Sequence, residues 1–237
     1  MRVLREFAKI VLGSIFSILL TLLLISSSLS QITEYSNLKG IFSSLIKTQK
    51  EMNVTEIYNN IKILCKFEKT INMPINNDTI QLECSEVEKI KEDDFLEFLS
   101  SKIFDKFYFK EYSCSVIECL KEGKAENFLV IFSSQGNLFF RTVKKYLIFL
   151  TIIACLAFLL VLENWEQRAK GLGKALLSTG LFYFIIKFGS DFFLPTKIKE
   201  LAFAEKILNS FAQNFLYIFV AGIILLIVGY LLKRKSK

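Results

Sequence analysis

Histidine is absent from all 237 residues, proline occurs twice and tryptophan once. Without imidazole there is no His ligand for zinc or haem and no Ser-His or Cys-His pair, so any chemistry has to come from Cys, Lys, Asp, Glu or Tyr. With prolines only at 74 and 195, long stretches are free to be helical. Paired C-x-x-C knuckles are also missing. Cys114 and Cys119 stand five apart, which disfavours both a four-thiolate metal site and a thioredoxin-like exchange centre. The nearest approach to a phosphate loop is Gly171-Leu172-Gly173-Lys174. It has Arg168 where the leading glycine belongs and Ala175 where a Ser or Thr would hold magnesium, so the glycines are read as bending the turn between two apolar segments. No catalytic, cofactor or metal site emerges, and nothing reads as an enzyme.

What the chain does have is apolar length. Hydrophobic residues make up 52% and the mean hydropathy is +0.42, above the range of ordinary soluble domains. The excess falls in blocks. Residues 7–29, with Arg2, Arg5 and Lys9 at their start, are rich in Leu and Ile and long enough to cross a hydrocarbon core of about 30 Å. The same stretch, leaving through Ser28-Leu29-Ser30, also fits a cleaved signal peptide, and either reading exports the residues C-terminal to it. Residues 146–162 carry no charge, 175–194 form a less uniform block holding Lys187 and Asp191 before Pro195, and 211–232 end at Lys233, Arg234 and Lys235. Four spans are therefore expected, with both termini on the same side.

Charge and cysteine place that side. Residues 31–143 hold 14 Lys/Arg against 17 Asp/Glu, while the remainder holds 16 against 6. The basic excess thus flanks the membrane, where orientation and anionic lipid account for it without nucleic acid. Four of the five cysteines, Cys65, Cys84, Cys114 and Cys119, lie in 31–143, an even number suited to two disulfides in an oxidising space. Short loops favour pairing Cys65 with Cys84 and Cys114 with Cys119 over the two other connectivities. Cys155 is a lone small apolar side chain in the second span.

The organisation expected is an α-helical multi-pass protein of the cell membrane with cytoplasmic termini. Residues 1–30 are a transmembrane helix or signal anchor, 31–143 a small, mainly helical, disulfide-bonded extracytoplasmic domain, and 144–237 a three-span bundle with an amphipathic outer segment near 196–212. In the domain, Ile32, Tyr35, Leu38, Ile41, Phe42 and Leu45 recur at helical spacing. So do Ile57, Tyr58, Ile61, Leu64 and Cys65, and again Phe95, Leu99, Ile103 and Phe107. Asn53 and Glu56 resemble a capping box, 79–84 a short strand after a loop with Pro74, Asn76 and Asn77, and 128–132 a second strand. Asn53-Val54-Thr55 and Asn77-Asp78-Thr79 match the N-glycosylation pattern.

Lys187 and Asp191, four apart, are a candidate intramembrane charge pair, set against the simpler reading that Lys187 snorkels to the headgroups. The function expected is non-enzymatic: binding, scaffolding or envelope assembly through the outer domain, whose partners are the bilayer, a protein or glycan and further copies of the chain. A transporter, channel or accessory subunit built on the last three spans is the alternative.

Overall fold

The computed structural model describes residues 2–48, 54–75, 78–123, 125–193 and 202–235. The chain is mostly helical and divides into two compact units, one made of residues 1–32 with 137–237 and the other of 33–136.

The first unit holds α1 (Arg2–Ile32), most of α8 (Ser134–Val161), α9 (Trp165–Gly180), α10 (Phe182–Phe193) and α11 (Ala202–Lys235). Three stretches are long and apolar enough to cross a membrane: Val3–Ile32, Ser134–Val161 and Phe211–Arg234. Apolar faces that no neighbour covers, such as Ile18 and Leu22 on α1, Phe149 and Leu156 on α8 and Ile224 on α11, stay exposed, as expected where lipid completes the packing. Inside, Phe16, Leu20, Ala154, Phe158, Leu162 and Ala175 form one buried cluster.

Helices α1 and α8 run antiparallel. Arg5 Nε donates to the Val161 carbonyl at 3.2 Å at one end. At the other, Ser26 Oγ donates to the Phe140 carbonyl at 3.2 Å and Asn137 Nδ2 to the Ser30 carbonyl at 2.9 Å. Helices α9 and α11 approach more closely still, because glycines face each other. A Cβ on Gly222 would lie 2.8 Å from the Leu177 nitrogen, and one on Gly180 would lie 2.5 Å from Phe219 Cα. Such spacing lets two backbones touch where any side chain would hold them apart. The antiparallel register continues into α10, whose Phe182 ring packs 5.9 Å from that of Phe215.

The glycines therefore correct an expectation. Gly171 and Gly173 do not bend a turn. They lie inside α9, which starts ten residues before the apolar block, and the chain reverses instead around Glu163 and Asn164. The third apolar block becomes the end of α9 plus α10 and is not among the three long apolar stretches. Residues 194–201, with Pro195 and the start of the amphipathic segment, lie outside the described residues, and from Ala202 onward that segment is the first part of α11.

In the second unit, α2 (Tyr35–Thr48) and α3 (Val54–Leu64) are followed by the antiparallel hairpin β1 (Thr70–Ile75) and β2 (Asp78–Glu83). Then come α4 (Cys84–Val87), α5 (Glu92–Tyr108), α6 (Val116–Lys121), α7 (Ala125–Phe128) and a 3-10 turn (Leu129–Phe132). Helix α5 is the spine. Its N-terminal Phe95 and Leu99 join Tyr58, Ile61, Ile71, Leu82 and Val87 in one core, and its C-terminal Phe104 and Tyr108 join Leu38 in another. Three acidic residues in its first turn, Glu92, Asp93 and Asp94, complement the helix dipole. Tyr108 is buried and donates its hydroxyl to the Thr33 carbonyl at 3.1 Å.

Two strand expectations come out differently. The stretch expected to be loop around Pro74 is the strand β1, with Ile71 buried and Pro74 paired opposite Thr79 on a two-stranded ribbon, an edge position where a missing N–H is tolerated. The strand expected at 128–132 is helical, ending in the 3-10 turn whose Val130 carbonyl accepts from Ser133. Gly136 comes soon after, and a side chain there would meet the carbonyl oxygens of Val130 and Ile131. Asn53, the expected cap of α3, lies outside the described residues, while Glu56 stands in the first turn of that helix.

A complete capping box belongs to α6. Glu118 N–H donates to Ser115 Oγ at 3.4 Å, and Ser115 N–H donates to Glu118 Oε2 at 2.9 Å. Those bonds from Ser115 hold the Glu118 carboxyl below its ordinary value of 4.5. Because the folded value is depressed, the contribution is full above the unfolded value and is lost as pH falls through the folded one. Ser115→Ala is expected to cost about 1 kcal/mol at neutral pH, and Glu118→Gln to flatten the acid limb of a thermal-unfolding profile below pH 4.5. Gly40 offers the opposite case, since a Cβ there meets nothing within 4 Å. Gly40→Ala in α2 is expected to raise stability by about 1 kcal/mol in the same measurement.

Candidate functional site

The disulfides give the 33–136 unit its most constrained region. Cys65, at the end of α3, is bonded to Cys84, which opens α4, with Cα atoms 5.2 Å apart. The bond closes the chain around the hairpin, and both cysteines are buried in the same core as Ile71 and Leu82. Cys114 is bonded to Cys119 across the α6 cap, with Cα atoms 5.5 Å apart. Gln135 Nε2 donates to the Cys114 carbonyl at 2.9 Å and ties that loop to the start of α8. The pairing is thus the neighbour pairing. Beside the first disulfide lies an open depression of about 420 Å³, edged by Glu68, Lys69, Glu83 and Glu88. Among the described residues no group of three or more His, Cys, Asp and Glu is placed to hold a metal ion.

Two lysine–tyrosine pairs each join neighbouring turns of one helix. Tyr35 Oη donates to Asp105 at 2.6 Å and accepts from Lys39 Nζ at 3.0 Å, within a cluster that includes Phe104, Tyr108 and Phe109. Lys62 Nζ donates to Tyr58 Oη at 3.0 Å, which raises the ammonium pKa above its usual value, and Tyr58 in turn donates to the Ile90 carbonyl. In both, the polar ends satisfy one another around packed rings, the usual arrangement for a tyrosine whose body is buried.

A surface strip in the same unit is apolar. Ile117 on α6, Phe128 at the end of α7, and Leu129 and Phe132 in the 3-10 turn are all exposed within sixteen residues of chain. Sequence alone does not reveal this strip, because 128–132 reads as a strand, whose side chains would alternate between two faces.

In the other unit, Lys187 is exposed on α10, and Asp191 comes one turn later in the same helix with its side chain outside the described ones. Asn77 and Asn53, the two glycosylation candidates, also lie outside the described residues. Cys155 is a free thiol half-buried on α8. A hydroxyl cluster between α1 and α9 gives no signal in the sequence. Ser17 and Ser178 hydroxyls lie 3.4 Å apart, and Thr179, almost fully buried, donates to the Ser17 carbonyl at 3.4 Å. Further along α1, Asn214 Nδ2 donates to the buried Ser28 hydroxyl at 2.9 Å, joining α11 to α1.

Comparison with protein-family models, with curated proteins and with solved structures finds no match.

Proposed function

We propose that the chain is a four-span membrane protein with cytoplasmic termini whose disulfide-bonded 33–136 unit stands outside the cytoplasm and binds a protein or glycan there without catalysing a reaction. Two disulfides support the outer placement, since cytosolic thiols are kept reduced. A fourth crossing is supported by the register of α9 and α10, which run from the level of Gly229 to that of Phe215, inside the apolar length of α11. The observation that carries the binding reading is the exposure of Ile117, Phe128, Leu129 and Phe132 on three short elements that pack on one another, because apolar side chains gathered outside a core mark contact sites.

Two measurements on intact cells test this reading. An impermeant lysine reagent is expected to label lysines of 33–136 and to spare Lys233 and Lys235; the reverse pattern sinks the topology. A photoreactive side chain at Phe128 is expected to crosslink to one defined partner that the same probe at the exposed Lys66 does not reach. Equal products from both positions would remove the strip as a binding site. The transport alternative draws on the Ser17, Ser178 and Thr179 hydroxyls inside the bundle. It is tested by solute flux in vesicles, which Lys187→Leu or Thr179→Val should abolish.

A further inference from the structure

We propose that Arg141, Lys144 and Lys145 on α8 form a cationic collar that binds the phosphate of anionic phospholipid at the edge of the membrane. Residues three and four apart share one face of a helix, so the three cations point the same way. Arg141 and Lys145 are exposed and Lys144 is half-exposed, and none of the three has an ion-pair or hydrogen-bond partner among the described residues.

The antiparallel register with α1 sets their depth. Ser26 contacts Phe140 and Ser30 contacts Asn137, so Arg141 stands beside the serine-rich end of α1. Lys144 and Lys145 lie about 5 Å further in, at 1.5 Å per residue, opposite the turn holding Leu22 and Leu23. Just beyond, Tyr146, Phe149 and Leu150 are exposed apolar groups, as at the start of a lipid-facing surface.

The countercharge is not in these helices. Neither α8 nor residues 7–32 of α1 contain an Asp or Glu. At the opposite end of the same helix pair, Arg5 is bridged to Glu163 and Lys9 to Glu6. At that end Arg5 and Lys9 are matched by carboxylates of the chain, while the other end presents three cations at headgroup depth. A lipid phosphate provides oxygen acceptors and negative charge at that level, and a basic side chain near an anionic surface gains about a fivefold preference.

The test uses the purified full chain in nanodiscs of phosphatidylcholine alone or with about a third phosphatidylglycerol. Wild type is expected to retain phosphatidylglycerol over phosphatidylcholine after delipidation, read by native mass spectrometry, and to unfold at a higher temperature in the mixed discs. The variant Arg141→Gln, Lys144→Gln, Lys145→Gln is expected to lose about 100-fold in that retention while unfolding normally in pure phosphatidylcholine.

If the triple variant does not fold, Lys145→Glu alone takes its place, and the preference should fall by more than about tenfold. Retention unchanged in either variant overturns the proposal. So does equal stabilisation of wild type by inorganic phosphate in phosphatidylcholine discs, which would assign the cations to a soluble anion.

Discussion

Gly180→Ala is expected to cost about 3 kcal/mol, the upper part of the range for forcing a group into a filled interface. A methyl at this position would lie 2.5 Å from Phe219 Cα, 2.6 Å from its Cβ and 2.7 Å from its nitrogen. All three atoms survive in alanine, so Phe219→Ala cannot make room and should not rescue the variant. Relief requires α9 and α11 to separate along the length where Gly173 meets Gly222 and Leu226, which forfeits packing at every turn. Thermal unfolding in detergent reads the loss. A Gly180→Ala protein as stable as wild type, or one restored by Phe219→Ala, would mean that the helices do not touch at this register. Gly40→Ala, measured beside it, separates the close contact from any general effect of replacing glycine in a helix.

Replacing Cys65 and Cys84 together by serine is expected to destabilise the 33–136 unit by about 3 kcal/mol, against about 2 kcal/mol for the Cys114 and Cys119 pair. The difference comes from the loops, since the first bond joins residues 19 apart and the second residues 5 apart. The first loss is also the more consequential for packing, because Cys65 and Cys84 belong to the core that holds Ile71, Leu82, Val87 and Phe95. A unit of about this size has a small margin, so the double serine variant should lose the protease resistance of the hairpin first. Limited proteolysis with unfolding monitored in parallel distinguishes the two pairs. If the Cys114 and Cys119 variant proves the weaker one, loop entropy is not what these bonds contribute.

Residue order makes much of this architecture legible and leaves some of it hidden. The apolar runs at 7–29, 146–162 and 211–232 stand out because their length separates a span from a core helix. The neighbour pairing of cysteines is legible because it closes the shortest loops. Helix α5 is visible through Phe95 and Leu99, but its second half rotates to bury Phe104 and Tyr108 where Ile103 and Phe107 are expected to lead, and those two are only partly buried beside them.

Strand β1 is hidden because Pro74 outweighs the alternation of Ile71, Met73 and Ile75 against Asn72. The glycines of α9 mislead because a glycine in a turn and a glycine against another backbone leave the same letter. Only the partner, Gly222 nearly fifty residues later, tells them apart. The cationic collar is visible as three residues flanking a span. Its depth is not, since that depends on the Ser26 and Asn137 contacts between α1 and α8.

The glycine contact also imposes an order on assembly. Helix α9 carries Arg168, Lys170 and Lys174 in its first ten residues, and it hides Gly173 and Gly180 against α11, which the ribosome makes later. Until Phe219 and Gly222 have been synthesised, α9 can rest on the Ser17 turn of α1 and on Phe158 and Leu162 at the end of α8, but the face that carries Gly173 and Gly180 has nothing to meet. The nascent protein therefore passes through a stage in which α1 and α8 are complete while α9 waits for its partner. A chain halted before Ala202 would expose that unfinished helix to membrane quality control.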